Sequence, residues 1–434
     1  VNEFTVKIER IVPEGKGFGL FEGKPVYVLG AYPDEEVKVR IISDRKDFLE
    51  AEVIEVIKPS EYRIEPVEDH YLVCSPWETI DYKYQLELKK DILLKCFKSL
   101  AGIEVDSIVQ SIEASPKTYG YRNKLEFSFG ENEDKSIFLA FHKRGSHKHL
   151  IELKNGCALG DEKMNAKALE ILEVINQSGL EEFDLKSLTI RYSFASEETI
   201  ALLLFKNTRE RVEAALKFFE EKGIDNLTIA LSDFRSPVAR IDKILLQKGK
   251  DFLVEEVSGT KFMYYLDSFF QNNIGLFEKT IEDLKKFVIK DSNVLELYSG
   301  VGSIGLNLSN QASKVTGVEI VESAVKAAKE NIKINEVKNY ESILLPAEKI
   351  DTDLLDGVDI LVLDPPRSGL HQKLIDIILH KKPEKIIYLS CNPITQASDL
   401  NKLKELYEIK FLKGYDFYPN TPHLEALLIL TLKN

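Results

Sequence analysis

The sequence predicts a multidomain chain. A small β-barrel of the oligonucleotide-binding type spans 1–58. A linker and a central α+β domain span 59–262. A Rossmann-like, doubly wound α/β domain with a seven-stranded sheet spans 263–434. Three observations predict this. The chain has 434 residues, more than one core usually organises. The first 58 residues alternate apolar and polar positions between Gly- and Pro-containing turns. From about residue 265, apolar strand-length runs alternate with helical ones, the pattern of a parallel sheet covered on both faces.

The N-terminal strands are read from "FTVKIER", "PVYVLG", "EEVKVRIIS" and "LEAEVIEVIK", with turns at "PEGKGFG" and "YPDE", and five short strands are expected. Residues 59–82 read as a linker. A helix is expected near 83–101, where Leu86, Leu93, Phe97 and Leu100 recur at helical spacing; it is a candidate to pack on the catalytic domain. The central segment mixes strands ("NKLEFSFG", "SIFLAFHK", "LTIRYSF", "TIALLLF") with two helices ("GDEKMNAKALEILEVINQSG", "NTRERVEAALKFFEEKG"). In the last part "NVLELYS", "KVTGVEI", "SILLPA", "DILVLDPP" and "KIIYLSC" read as strands separated by helices. Two more, near 407–415 and 425–433, have no helix between them and form an antiparallel pair.

Composition excludes several classes. The longest apolar runs have strand length, well short of the ~18 residues of a membrane span, so no membrane partner is expected. Four cysteines, at 74, 96, 157 and 391, form no C-x-x-C pair and point to a reducing cytoplasm. The net charge of −13 opposes nucleic-acid binding unless a local basic surface exists. "AFHKRGSHKH" (140–149) has three Lys/Arg, three His and no acid, and Arg122 and Lys124 lie upstream. Lys143 and Arg144, with Arg122 and Lys124, are therefore the candidate RNA contacts; a solvated basic loop is the plain alternative. The barrel itself is slightly acidic, with twelve Asp/Glu against nine Lys/Arg.

The chemistry concentrates near the carboxyl end. Gly300-Val301-Gly302-Ser303-Ile304-Gly305 fits G-x-G-x-x-G between a strand and an expected helix. Glu319 follows nineteen residues after Gly300, at the end of the next strand, where a carboxylate can accept from ribose hydroxyls. This favours a nucleoside cofactor, NAD or S-adenosyl-L-methionine (SAM). Asp364 in "LVLDPPRSG" lies at the end of the fourth strand, in the crevice where such folds bind ligands. Cys391 in "YLSCNP" ends the fifth strand, and Glu425 precedes the last one. A cysteine and a carboxylate at strand ends facing one pocket make a nucleophile and a base. His423 competes with Glu425 for the role of base.

"SFFQNN" (268–273), "LELYSGVGSIGL", "LDPPRSG", "YLSCNP" and "DFYPNTPHLE" resemble, in that order, the RNA uracil-C5 methyltransferases. "YGYRNKLEFSFG" (119–130) is similar too, and the first 58 residues resemble a TRAM domain, the small β-barrel attached to many RNA-modifying enzymes. The seven strands match the class I methyltransferase variant of the doubly wound fold. The resemblance implies SAM as methyl donor, Cys391 as the nucleophile that adds to uracil C6, and Glu425 as the base that removes the C5 proton. By the same matching Gln271, Tyr298, Gly300, Gly302, Ser303, Glu319 and Asp364 are SAM-binding positions; many relatives have Asn where this chain has Ser303.

Many relatives also hold a 4Fe–4S cluster through C-x5-C-G-G-C and a later cysteine. Here Cys74 and Cys157 match two of the four positions, and Glu65 and Tyr71 stand at the others, so no cluster and no metal are expected. The implied partner is RNA, with 23S ribosomal RNA ahead of a tRNA T-loop, acted on by a monomer. Two other readings stay open: an amino-group methyltransferase using "DPPR", and a non-catalytic RNA-binding or chaperone protein.

Overall fold

The computed structural model describes residues 2–143, 149–233, 235 and 240–433. The chain packs as two compact units, one of residues 1–116 with 352–434, the other of 117–351. This division differs from the expected boundaries, because the strand–helix alternation beyond 263 contributes to both units.

In the first unit, residues 3–58 form a six-stranded sheet rather than five strands: "FTVKIER" is split into Glu3–Lys7 and the short Arg10–Ile11, and Gly17–Phe21, read in part as a turn, is a strand. Alternation along Glu3–Lys7 and Glu36–Asp44 places Phe4, Val6, Val37 and Val39 in one apolar core with Val26 and Val28. Residues 59–82 are more than a linker. Trp77 and Ile80 are buried, and Arg63 donates to both oxygens of buried Glu35, at 2.6 and 2.8 Å. Tyr32 Oη donates to Pro76 O at 2.8 Å. Composition hid this, because the segment packs through scattered polar and aromatic anchors without a period. Asp81 caps the helix Tyr82–Cys96, which runs on as a π-turn through Phe97–Ala101.

The α/β strands are numbered here β1 Asn293–Leu297, β2 Lys314–Glu319, β3 Tyr340–Leu344, β4 Ile360–Leu363, β5 Lys385–Ser390, β6 Tyr407–Tyr415 and β7 Glu425–Leu432. The first unit contains β4 to β7, in the order β4-β5-β7-β6, followed by Ile112–Glu113 alongside β6. β4 and β5 are parallel, and β7 runs antiparallel to both β5 and β6. β5 and most of β7 are buried, which matches their near-continuous apolar sequence.

The second unit contains β1, β2 and β3, parallel and in the order β3-β2-β1. It also has a seven-stranded mixed sheet, in which Leu185–Tyr192 and Thr199–Phe205 are central and Glu162–Gln177 and Glu210–Lys222 are helices. A hairpin of Phe252–Val257 and Thr260–Tyr265 precedes β1. No helix among the described residues is long and apolar enough to cross a membrane.

Candidate active site

β5 ends where the helix Pro393–Leu403 begins. Pro393 occupies the first helical turn, and the Asn392 side chain caps it by accepting from Ile394 N at 3.2 Å. The proline that stops the strand therefore starts the helix, and Cys391 is left at the junction. Ser390 is paired with Ala426, so in antiparallel register the next residue, Cys391, stands opposite Glu425. Leu363 at the end of β4 pairs with Tyr388 of β5, which brings Asp364 to the same edge. Asn392 Nδ2 donates to the Arg367 carbonyl at 2.9 Å and holds the "DPPR" loop against Cys391.

The electrostatics follow from this crowding. Burial pushes the Cys391 thiol up to about 12; the Glu425 and Asp364 carboxyls add to the rise and the Arg367 guanidinium opposes it. Asp364 keeps a window on solvent, yet the dense protein around it raises its carboxyl to about 7 by desolvation. Glu425 is only 3 % exposed. Burial, and then the Asp364 charge, lift it well above the usual carboxylate range, against the Tyr418 hydroxyl and Arg367. Tyr418 Oη donates to Glu425 Oε1 at 3.4 Å, and Glu425 Oε2 is buried without a hydrogen-bond partner among the described residues. Three acids around one small volume cannot all ionise, so their protons are shared.

His423 lies against the "DPPR" loop. Its Nδ1 lies 3.2 Å from an Arg367 nitrogen, and a guanidinium can only donate, so Nδ1 accepts. That contact favours Glu425 over His423 as base. A cavity of about 300 Å³ adjoins Cys391, lined by Arg367, His423 and Leu424, with Pro13 and Glu14, in the turn before Gly17–Phe21 of the N-terminal sheet, on its wall. Gly15 shows how closely that sheet approaches: a Cβ there would lie 2.1 Å from Pro422 Cβ.

The loop 416–424 before Glu425 is held from behind by the helix Tyr82–Cys96. Lys89, fully buried, pairs with buried Asp416 and donates to Tyr418 O at 3.1 Å. Gln85 Nε2 donates to Asn420 Oδ1 at 3.0 Å, and Asn420 N donates to Gln85 Oε1 at 2.9 Å. Sequence reasoning missed Tyr418, Lys89 and Asp416. The one available signal was a lysine at an apolar-face position of the expected helix, which reads as ordinary solvation without a fold.

The other expected cofactor residues lie in the second unit. Tyr298 follows β1 in the left-handed region (φ 63°), and Gly300 and Gly302 come next at φ 53° and 83°. Gly300 N donates to Glu319 Oε2 at 2.9 Å, while Ile320 N and Val321 N donate to Glu319 Oε1 at 2.8 Å each. The motif and the carboxylate thus meet, and Glu319 has acceptor capacity left on Oε2. The helix expected to open at this motif is a single turn, Gly305–Leu308, so no helix N-terminus is available for an anion. Gly305 serves packing instead, since a Cβ there would lie 2.3 Å from Glu296 Oε2. Gln271 is buried, and Asn123 Nδ2 donates to its carbonyl at 2.9 Å; Ser303 is half-buried. Asp364 belongs to the first unit, with Cys391 and Glu425.

Of the basic candidates, Arg122 is half-buried and Lys124 lies 3.4 Å from Glu126, which offsets its charge. Lys143 N donates to His149 O at 2.8 Å, where two strands approach. Arg144 lies outside the described residues.

A parallel strand succession with a glycine-rich loop against a strand-end carboxylate is the arrangement of a class I methyltransferase fold. The chain belongs to the tRNA (uracil-5-)-methyltransferase family, whose model matches residues 81–433; the TRAM domain model matches residues 1–54. It is an enzyme of that family, an RNA uracil-5 methyltransferase dependent on SAM. It is 32% identical over 444 residues to an uncharacterized RNA methyltransferase of Caldanaerobacter subterraneus, covering 98% of both chains. It is also 32% identical over 454 residues to one of Clostridium tetani, covering 100% of this chain and 98% of that one. In fold it is similar to the crystal structure of Pyrococcus abyssi tRNA (uracil-54, C5)-methyltransferase in complex with S-adenosyl-L-homocysteine. That match has a TM-score of 0.78 at 24% identity and covers 98% of this chain and 99% of the other.

Proposed function

We propose that the enzyme methylates uridine C5 in RNA through a transient bond between Cys391 Sγ and uracil C6. The observation that supports this is the register placing Cys391 opposite Glu425, with Asp364 and Arg367 acting on both. Uracil C5 is a weak nucleophile. Addition of the Cys391 thiolate to C6 turns C5 into an enolate carbon able to attack an electrophilic methyl group. Glu425 then takes the C5 proton, and the electron pair released expels Cys391 as thiolate.

The raised values at the resting site suit this order. Before RNA binds, one negative charge in the site keeps the other acids protonated. Once sulfur is tied up as a neutral thioether and the enolate has been consumed by methylation, the added substrate carries no charge of its own, and a proton held by Asp364 would relieve the repulsion that raises Glu425, so that Glu425 can accept the C5 proton as base. Arg367 would ease the first ionisation, since it lowers the Cys391 thiol.

SAM, when bound, supplies the methyl group as an electrophile. The second unit fits a nucleoside ligand. Glu319 has a free acceptor position, the space over Gly300 is open, and Ile320 and Val321 beside Glu319 are 60% and 45% exposed, as an apolar floor for a base would be. Gln271, Tyr298, Gly302 and Ser303 complete the proposed set, and Asp364 is proposed as a further cofactor position that also contacts the base. β1 to β7 have the strand succession of the class I sheet, with an oligonucleotide-binding-type barrel before it.

The target base must leave its stack, which favours a loop uridine. Large-subunit 23S ribosomal RNA is the proposed substrate, on the strength of the TRAM match, with Arg122, Lys124, Lys143 and Arg144 as backbone contacts. The family model's name supports a tRNA uridine as the second reading. A monomer in a reducing cytoplasm suits four free cysteines.

RNA carrying 5-fluorouridine tests the mechanism, because fluorine at C5 cannot be removed by a base. The enzyme with SAM is expected to form an adduct stable to denaturing electrophoresis, and Cys391→Ala none. An adduct that survives in Cys391→Ala overturns the proposal, and N-methylated product without adduct replaces it with amino-group transfer.

A further inference from the structure

We infer that Glu68, His70 and Cys74 form a mononuclear site for a divalent transition-metal ion of the zinc type. One donor atom from each lies within 4.8 Å of the other two. His70 Nδ1 is 3.3 Å from Cys74 Sγ, and Cys74 Sγ is 4.0 Å from Glu68 Oε2. Metal bonds of ~2.0–2.3 Å in a tetrahedron give ligand–ligand edges of ~3.4–3.6 Å, so His70 and Cys74 already stand at that spacing and the Glu68 carboxylate closes on them by a side-chain swing of up to about 1 Å. A thiolate and a carboxylate cancel a charge of +2, and the imidazole binds as a neutral ligand. Sulfur, nitrogen and oxygen together suit zinc or cobalt and disfavour magnesium or calcium. A solvent molecule, or the Ser75 hydroxyl 3.3 Å from Cys74 Sγ, can complete the fourth position.

The site is built rather than incidental. Glu78 is buried; its Oε1 accepts from Val67 N at 2.5 Å and Glu68 N at 2.9 Å, and its Oε2 accepts from Ser75 Oγ at 2.6 Å. One carboxylate thus positions both segments that present the donors, as outer partners do in metal sites. His70 is buried, while Glu68 keeps partial exposure and offers an entry path.

A bound ion would tie the stretch around Glu68 to the short helix Tyr71–Cys74. Just beyond that helix, Trp77 N donates to Asn420 O and Trp77 Nε1 to Gly15 O, each at 3.0 Å. The ion's role is therefore to brace the support behind the loop that leads to Glu425. One thiolate among the donors is too few for an iron–sulfur cluster, so this is a different kind of site.

The full-length protein, reduced and stripped with chelator, is titrated with Co2+ and then Zn2+. About one equivalent of Co2+ is expected to bind with a thiolate-to-cobalt charge-transfer band and the strong visible bands of four-coordination, and Zn2+ to bleach both. Cys74→Ser should abolish the charge-transfer band. His70→Gln and Glu68→Gln should weaken binding about tenfold or more, and Cys391→Ser should leave it intact. Zn2+ should raise the melting temperature of the wild type more than that of Glu68→Gln, whose half-buried side chain makes it the variant safest to fold. Absence of the band in the wild type, its survival in Cys74→Ser, or iron with acid-labile sulfide in the purified protein would each overturn the assignment.

Discussion

Replacing Asp364 by Asn should stabilise the protein at neutral and alkaline pH while it damages catalysis. The carboxyl rises from 3.8 in the solvated chain to about 7 in the fold, because burial penalises its charged form. An acid whose folded value lies above its unfolded one binds more protons folded than unfolded. Wild-type stability therefore falls as pH rises from about 4 to about 7 and stays low above that. A rise of about three pH units at ~1.4 kcal/mol each is ~4 kcal/mol. The solvent window at Asp364 screens part of it, leaving ~2–4 kcal/mol. Asn has the same shape and no charge to bury, and it also removes the repulsion that Asp364 exerts on Glu425. Urea unfolding of both proteins at pH 4, 7 and 9 measures the effect. The variant should match the wild type at pH 4 and exceed it by ~2–4 kcal/mol at pH 9. A difference that is the same at all three pH values, or a wild type more stable at pH 9, would refute the desolvation argument.

Glu425→Gln preserves shape and the Tyr418 contact but removes the base. Turnover should fall ~10²–10⁴-fold, and a methylated protein–RNA adduct should accumulate on denaturing gels of ordinary, unfluorinated RNA; rapid release of free product would contradict the role. Lys89→Met strands the buried Asp416 charge and should cost ~3–5 kcal/mol of stability, most of it regained in Lys89→Met with Asp416→Leu, as thermal and urea melts can report. Glu319→Gln forces an amide N–H against one of the backbone donors at Gly300, Ile320 or Val321. SAM affinity measured by calorimetry should drop about tenfold or more, from one lost charge-assisted hydrogen bond of ~1.5–3 kcal/mol; unchanged affinity would remove Glu319 from the cofactor set.

What the sequence determined by itself is what depends on neighbours along the chain. Periodicity separates the strands of residues 3–58 from the later strand–helix alternation, and Gly300, Gly302, Pro365 and Pro393 mark where strands must turn, because φ preferences and missing N–H groups act within a residue or two. The resemblance of the short motifs added candidates for chemistry but no geometry. Tertiary structure alone decided which of those ends meet. Cys391 faces Glu425 only because β5 and β7 pair in one register, and a slip of one residue would turn Glu425 to the other face. Lys89 and Asp416, 327 residues apart, form a buried pair that neither local segment encodes. The supposed linker around Trp77 proved to be packing, the helix after the glycine motif shrank to one turn, and Gly305 is glycine because Glu296 and Tyr340 occupy the space of its Cβ. Local rules set backbone directions; burial, register and pKa depend on atoms far away in the chain, and those arrive only with the fold.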